Sequence, residues 1–312
     1  MYLHFNGAFE GQHDPINELT FEFCKYKLAS MENYLLYEEI LRTQRAVSFK
    51  GRKKKTLHFL CIQQYNRKDL EFITNEVNAI HDLDQINICR FHEWYETPKH
   101  IWCIKELCLG GTLRRIIGED GRMPEKSVRE FSIDIVHALT YLHSNSLAMA
   151  DLSPEKILLG NDHQLKLYDF CLSKFLPHNP DSFSEPTDSE GEIERARHNL
   201  SLLIPEGYSR YHMAPEILVF QAFSPESDFY SLGCIMYEMY TGKVPYPQRN
   251  EDIIPAVLYS EPPALPANVR DKAPPSQEFM SLLSLLLQKD CNTRMNDETI
   301  EDHSFWLHNR NS

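Results

Sequence analysis

The sequence predicts an α+β protein of two lobes, a small strand-rich one followed by a larger helical one. Between residues 34 and 106, short apolar runs of strand character surround a single stretch of helical spacing. From residue 112 onward the apolar positions recur with helical spacing. Gly110-Gly111 separates the two regimes and marks a break in the chain.

Residues 1–30 mix charges with Phe21, Phe23 and Tyr26 without a clear period. They lack the basic start and apolar centre of a signal peptide, and read as a poorly ordered extension. Strands are expected over Tyr34–Ile40, Val47–Arg52 and Leu57–Gln63. The basic run Lys50, Arg52, Lys53, Lys54 and Lys55 reads as a solvated hairpin tip, with a partner site as the alternative. Residues 69–83 place Phe72, Ile73, Val77, Ile80 and Leu83 at helical spacing. Cys89–Tyr95 and His100–Glu106 complete five strands. The expected domain covers residues 31–309, with the small lobe at 34–107 and the large lobe at 112–306.

In the large lobe, Ser127–His143 carries Val128, Phe131, Ile135, Ala138, Leu139 and Leu142 on one helical face. Residues 181–194 are acidic and rich in Ser, Pro and Thr, and read as a mobile loop. Asp228–Tyr240 is an apolar helix, and Phe279–Leu287 is a buried one. Between them Pro262, Pro263, Pro266, Pro274 and Pro275 mark an extended connector. No internal repeat is present.

With 312 residues, 42% of them apolar and 25% charged, the chain can bury a large core. Its net charge of −13 argues against nucleic-acid partners. Six acids lie in one run, Asp181, Glu185, Asp188, Glu190, Glu192 and Glu194, and without them the remainder carries −7. The eight cysteines form no C-x-x-C pair, so reduced thiols in a cytoplasmic protein are expected. Cys103 and Cys108 read as small buried apolar residues. No apolar run reaches the ~18–20 residues of a membrane span. The fourteen histidines make no H-E-x-x-H cluster, which leaves a metal hydrolase without support.

One stretch organises the rest, Ala150-Asp151-Leu152-Ser153-Pro154-Glu155-Lys156-Ile157-Leu158-Leu159, followed by Asp169-Phe170-Cys171. Together these resemble the catalytic loop and metal-binding turn of a protein kinase, H-R-D-L-x-x-x-N and D-F-G. Ala214-Pro215-Glu216, Asp228-Phe229-Tyr230-Ser231-Leu232-Gly233 and Arg294 follow in the family's order. The resemblance covers about residues 34–306 and implies the bilobal protein-kinase fold. It implies a buried Glu216–Arg294 pair, and an Asp228 that ties down the catalytic-loop backbone. Further segments are Met31-Glu32-Asn33-Tyr34, Phe91-His92-Glu93-Trp94-Tyr95-Glu96, Glu106-Leu107-Cys108-Leu109-Gly110-Gly111 and His303-Ser304-Phe305-Trp306. With these the chain resembles the Unc-51-like/Fused group, and within it the pseudokinase branch.

Most working parts depart from the family pattern. Asp151 stands at the catalytic-base position, but the preceding His and Arg are Met149 and Ala150. The glycine-rich loop has Leu41, Thr43 and Ala46 at its glycine positions, where side chains hinder close approach to phosphate. The strand-3 lysine is Gln63, a neutral amide that cannot neutralise phosphate. Lys156 replaces the asparagine that holds a second Mg²⁺, where a cation repels the metal, and Ser153 replaces a phosphate-contacting lysine. By resemblance the cofactor-binding positions are Gln63, Glu76, Lys105, Glu106, Cys108, Leu158 and Asp169, with Asp169 also the metal position. The reading retains ATP as a weak ligand and counts against Mg²⁺. Phe91, Ile80, Phe170 and Met149 would form the family's internal packing column.

The implied function is an inactive scaffold or regulatory protein. The alternative is a slow Ser/Thr kinase using a non-standard cation in its ATP site. By resemblance its partners are other kinases or microtubule- and cilium-associated proteins, in the cytoplasm, cytoskeleton or cilium. Ser182, Ser184, Thr187 and Ser189 are candidate phosphorylation sites in the acidic loop, which is expected to stay disordered when modified, since Ala150 supplies no receiving cation. Lys105 occupies the gatekeeper position facing Glu76, and the two are expected to pair. The alternatives are a Lys105 that reaches solvent, with Glu76 turned outward, or a Lys105 that reaches the phosphates.

Overall fold

A computed structural model describes residues 31–43, 45–176, 189–203, 210–246, 253–262, 264–265 and 274–307. The small lobe is an antiparallel five-stranded sheet in the order β1-β2-β3-β5-β4. Its strands are β1 (Tyr34–Arg42), β2 (Ala46–Lys53), β3 (Phe59–Asn66), β4 (Phe91–Glu96) and β5 (His100–Glu106). Helix α1 (Leu70–Ile80) lies between β3 and β4 in the chain.

Strand alternation gives the sheet two buried faces. Ala46, Tyr65, Ile101 and Cys103 cluster with Ile73 and Val77 of α1. Tyr34, Ile62, Tyr95 and Ile104 cluster on the opposite face. In register, Gln63 lies opposite Cys103 and Cys61 opposite Lys105. Residues 63, 103 and 105 therefore share the face that looks toward α1, which brings two polar side chains into an otherwise apolar layer.

At the junction of the lobes a Cβ on Gly110 would stand 2.6 Å from the Leu159 Cβ, and Gly111 has φ +82°. A close approach and a left-handed backbone thus explain the two successive glycines. Beyond them come α2 (Leu113–Asp120), α3 (Glu125–Ser144) and the short strands β6 (Leu147–Ala148), β7 (Ile157–Leu159), β8 (Leu165–Leu167) and β9 (Lys174–Phe175). Helices α4 (Ser189–Leu203), α5 (Pro215–Phe220), α6 (Pro225–Thr241), α7 (Ile253–Tyr259) and α8 (Gln277–Leu286) follow. The central helix α6 is buried along nearly its whole length. Among the described residues no helix is long and apolar enough to cross a membrane.

The landmarks hold this lobe as the resemblance implies. Arg294 grips Glu216 with both terminal nitrogens, at 2.6 and 3.0 Å. Asp228 accepts hydrogen bonds from the Met149 and Ala150 amides at 2.8 and 3.0 Å. Ala150 adopts φ +68°, a conformation unfavourable for a residue with a Cβ, and the Asp228 bond holds it there. Ile80, Met149 and Phe170 belong to one core cluster, and Phe91 packs against it. The expected column is therefore assembled.

Several expectations need correction. Residues 181–194 are not one loop, because α4 begins at Ser189 and buries Glu192, Ala196 and Asn199. The acidic run hid a helical stripe at i, i+4 and i+7. The basic run is not all turn: Lys50, Arg52 and Lys53 lie in β2, and Lys54 and Lys55 make the turn. The third strand starts at Phe59 rather than Leu57, which is 87% exposed. Helices α2, α5 and α7 were not anticipated, being too short to show a period. The expected extension at 1–30, residues 181–188 of the expected loop, and Pro263 and Pro266 of the connector lie outside the described residues.

Candidate functional site

Between the lobes lies a cavity of about 620 Å³. Its walls come from β1 and the following turn, from Ser48 and Gln63 in the sheet, and from Ser153, Lys156, Asp169 and Cys171 below. Of the expected cofactor positions, Gln63 and Asp169 line it. Lys105 and Glu76 are buried, at 3% and 0% exposure, and are not among its walls.

Gln63 is engaged in neutral hydrogen bonds only. It donates to the Ser48 hydroxyl at 3.2 Å and accepts from the Tyr65 hydroxyl at 2.9 Å. Ser48, Gln63 and Tyr65 thus form a closed polar group where a kinase has a cation.

Lys105 Nζ donates to Glu76 Oε1 at 2.6 Å. The Phe170 amide donates to the same oxygen at 3.1 Å. Burial alone would lower the Lys105 pKa, but the Glu76 carboxylate outweighs it and holds the ammonium charged. β5, α1 and the turn at Phe170 are thereby joined through one carboxylate. Asn75, the neighbour of Glu76 on α1, donates to the carbonyls of Cys171 at 3.0 Å and Ser173 at 3.1 Å.

Lys156 makes the second internal pair. Its ammonium contacts Asp151 Oδ2 directly and donates to the Asp169 carbonyl at 3.1 Å. It stands 3.9 Å from Asp169 Oδ2. Burial pushes the Asp151 carboxyl up to about 6, with Lys156 pulling the other way. For Asp169 burial also acts upward, but Lys156 and then Lys105 prevail and leave it below the ordinary carboxylate value.

These residues do not fit Mg²⁺. Mg²⁺ needs near-octahedral oxygen ligation, and an ammonium that stands where it would bind competes for the same oxygens and repels it. Lys156 places one between the two surviving aspartates. The sequence reading took Lys156 only as a repellent of metal. Its role as a partner of both aspartates was missed: Asp151 lies five residues before it, but Asp169 is thirteen residues away and is brought to it only by the fold.

Glu106, Cys108 and Leu158 stand outside the cavity walls. Lys166 holds Glu106 Oε1 at 3.2 Å, and the Arg90 amide donates to Oε2 at 3.2 Å. Leu158 is drawn into a bridge with Thr112. Arg114 of α2, which sequence reasoning did not single out, reaches Glu155 at 2.7 Å and Glu238 at 2.5 Å. It ties the catalytic-loop segment to α6.

A small sheet lobe, a helical lobe, an Asp228-anchored loop with a buried Asp151, and a cleft lined by Asp169 define a protein kinase domain. The family model for that domain matches residues 44–306, and the chain belongs to the protein kinase family. It is 40% identical over 285 residues to serine/threonine-protein kinase ULK4 of Mus musculus, an alignment covering 88% of this chain and 22% of that protein. It is 34% identical over 278 residues to serine/threonine-protein kinase RUNKEL of Arabidopsis thaliana, covering 88% and 18%. Against serine/threonine-protein kinase TIO of Arabidopsis thaliana the identity is 26% over 280 residues, covering 88% and 19%. The chain spans about a fifth of the length of these relatives.

Proposed function

We propose that this chain is a pseudokinase domain, a non-catalytic scaffold or regulator whose active-like shape is held by its own side chains. The observation that carries this is the Lys156 ammonium lodged between Asp151 and Asp169. A base must be free to accept a proton, and the Mg²⁺ of phosphoryl transfer needs a carboxylate oxygen that no ammonium faces. Here one cation engages both. Lys105 likewise engages Glu76 in place of a lysine that would reach phosphate. Loss of one such electrostatic element costs roughly 10²–10³ in rate. ATP is a weak ligand in this reading, bound without help from Mg²⁺.

The partners are proteins, and the family resemblance points to other kinases and to microtubule or ciliary assemblies. A radiolabel transfer assay with an Asp151→Asn control tests the reading. No transfer above that control is expected. Transfer that Asp151→Asn abolishes, at rates near the usual ~1–100 s⁻¹ of kinases, would overturn it in favour of the Ser/Thr kinase alternative.

A further inference from the structure

We propose that Glu76, Asp169 and Cys171 form a site for a thiolate-preferring divalent cation, zinc rather than magnesium, between α1 and the turn after β8. The family's turn ends in glycine, which offers no ligand. This chain has Cys171 there, buried, with its thiol beside two carboxylates. The three residues each bring a ligand atom within 4.8 Å of the other two.

The second observation is an orphan oxygen. Glu76 Oε1 is used by Lys105 and by the Phe170 amide. Glu76 Oε2 is buried on a residue of 0% exposure and has no hydrogen-bond partner among the described residues. A buried carboxylate oxygen without a donor is costly, and a cation is one way to satisfy it.

Charge also favours a cation. Glu76, Asp151 and Asp169 carry three negative charges, and Lys105 and Lys156 return two. The group is left with one net negative charge, which a bound cation offsets. Its oxygens place Asp169 between the two arrangements. Oδ2 faces Lys156 at 3.9 Å, whereas Oδ1 accepts from the Cys171 amide at 3.4 Å. The site is thus on the Cys171 side, away from the position that Lys156 denies to magnesium.

Ligand type sets the metal. One thiolate with two carboxylates suits Zn²⁺, which takes three protein ligands and leaves a fourth position open. Mg²⁺ demands octahedral oxygen ligation. Ligands on a tetrahedral zinc stand roughly 3.5 Å apart, given the usual Zn–S and Zn–O lengths, so the side chains need to close by about 1 Å. Asn75, bonded to the Cys171 and Ser173 carbonyls, fixes the turn against α1 while they do so. Asp169 and Cys171 line the cleft, so the open position faces it.

The test uses the full chain without nucleotide. Zn²⁺ is expected to raise Tm, and Mg²⁺ at the same concentration to leave it unchanged. Co²⁺ is expected to give a sulfur-to-cobalt charge-transfer band that Zn²⁺ bleaches. Cys171→Ser and Cys171→Gly, the latter restoring the family's residue, should keep the far-UV circular dichroism and lose the band. Their Zn²⁺ affinity should fall by at least the 10–100-fold that removing a mere outer-shell partner costs. Cys89→Ser disrupts the separate group Cys89, Glu106 and Cys108 and should leave the band intact. Absence of Zn²⁺ binding in equilibrium dialysis, or a band that survives Cys171→Ser, overturns the proposal.

Discussion

Two single residues decide how the interior is charged. Lys105 is 3% and Glu76 0% exposed, so removing either partner strands the other in the core. Lys105→Met or Glu76→Gln alone should cost about 3–5 kcal/mol of unfolding free energy. The double variant should cost less than the sum, by about 1–3 kcal/mol. Urea denaturation of the four proteins measures this, and additive losses would show that the 2.6 Å contact carries no coupling. His143 offers a pH test. It lies between Asp297 at 2.7 Å and Asp228 at 3.1 Å. Burial lowers its pKa, but the bonds to Asp228 and Asp297 outweigh this and raise it to about 9. Its folded pKa exceeds the unfolded value of about 6.5, so its contribution is complete below that pH and is lost as pH rises toward 9. Burial depresses Lys289 to about 8, and that residue contributes oppositely above pH 8. Between pH 6.5 and 8 the wild type should therefore lose up to about 2 kcal/mol that His143→Gln does not lose. Parallel slopes for the two proteins would refute the assignment.

Helix α4 is held by its contacts with α5 and α7 more than by its own composition. Asn199 donates to the Leu218 and Val219 carbonyls at 2.8 and 3.0 Å, which closes the C-terminal end of α5. Tyr259 of α7 donates to Glu192 at 2.7 Å. Asn199→Ala leaves two buried carbonyls without donors and should cost about 1–3 kcal/mol. Ala196, 0% exposed, should not tolerate Arg, and Ala196→Arg should release α4. Hydrogen exchange checks this: amides at 191–199 should be protected in the wild type and exchange fast in Ala196→Arg. Fast exchange in both would return the segment to the loop that its composition suggests. The strands were legible because each carries its own alternation and neighbouring turn residues, and β5 was placed at its observed bounds, His100–Glu106. Helix α4 was not, because Pro, Ser and six acids precede or overlap it, and tertiary contacts with α5 and α7 decide its state. In the site, the Lys105–Glu76 contact was legible because two unlike charges each lacked a family partner. Lys156 was read for what it repels rather than for what it attracts, since only the fold shows Asp151 and Asp169 flanking it.

At the scale of the molecule, the two ion pairs and the apolar column join the lobes without nucleotide. Lys105 and Glu76 tie β5 to α1 and, through the Phe170 amide, to the turn below. Lys156 ties the catalytic-loop segment to that same turn through the Asp169 carbonyl. In a kinase, Mg²⁺ and phosphate make such connections between the lobes. The expected consequence is a ligand response without a magnesium component. A ligand stabilises the fold by RT ln(1 + [L]/Kd), so a tenfold tightening by Mg²⁺ would add about 1.4 kcal/mol at saturation. For a domain of this size that is roughly 2–3 °C in Tm. The wild type should instead give the same ATP-induced shift with and without added Mg²⁺, within about 1 °C. Lys156→Asn restores the family's metal ligand and frees both aspartates. It leaves Asp151, 8% exposed, without its cation, so the apo protein should lose about 3–5 kcal/mol. The same variant should acquire an ATP shift that grows with Mg²⁺, because two oxygen ligands now face the cleft without a competing ammonium. A wild type that already shows the Mg²⁺-dependent increment would mean that Lys156 yields its place to the metal. A Lys156→Asn protein that is as stable as the wild type and equally indifferent to Mg²⁺ would mean that the buried lysine holds nothing together.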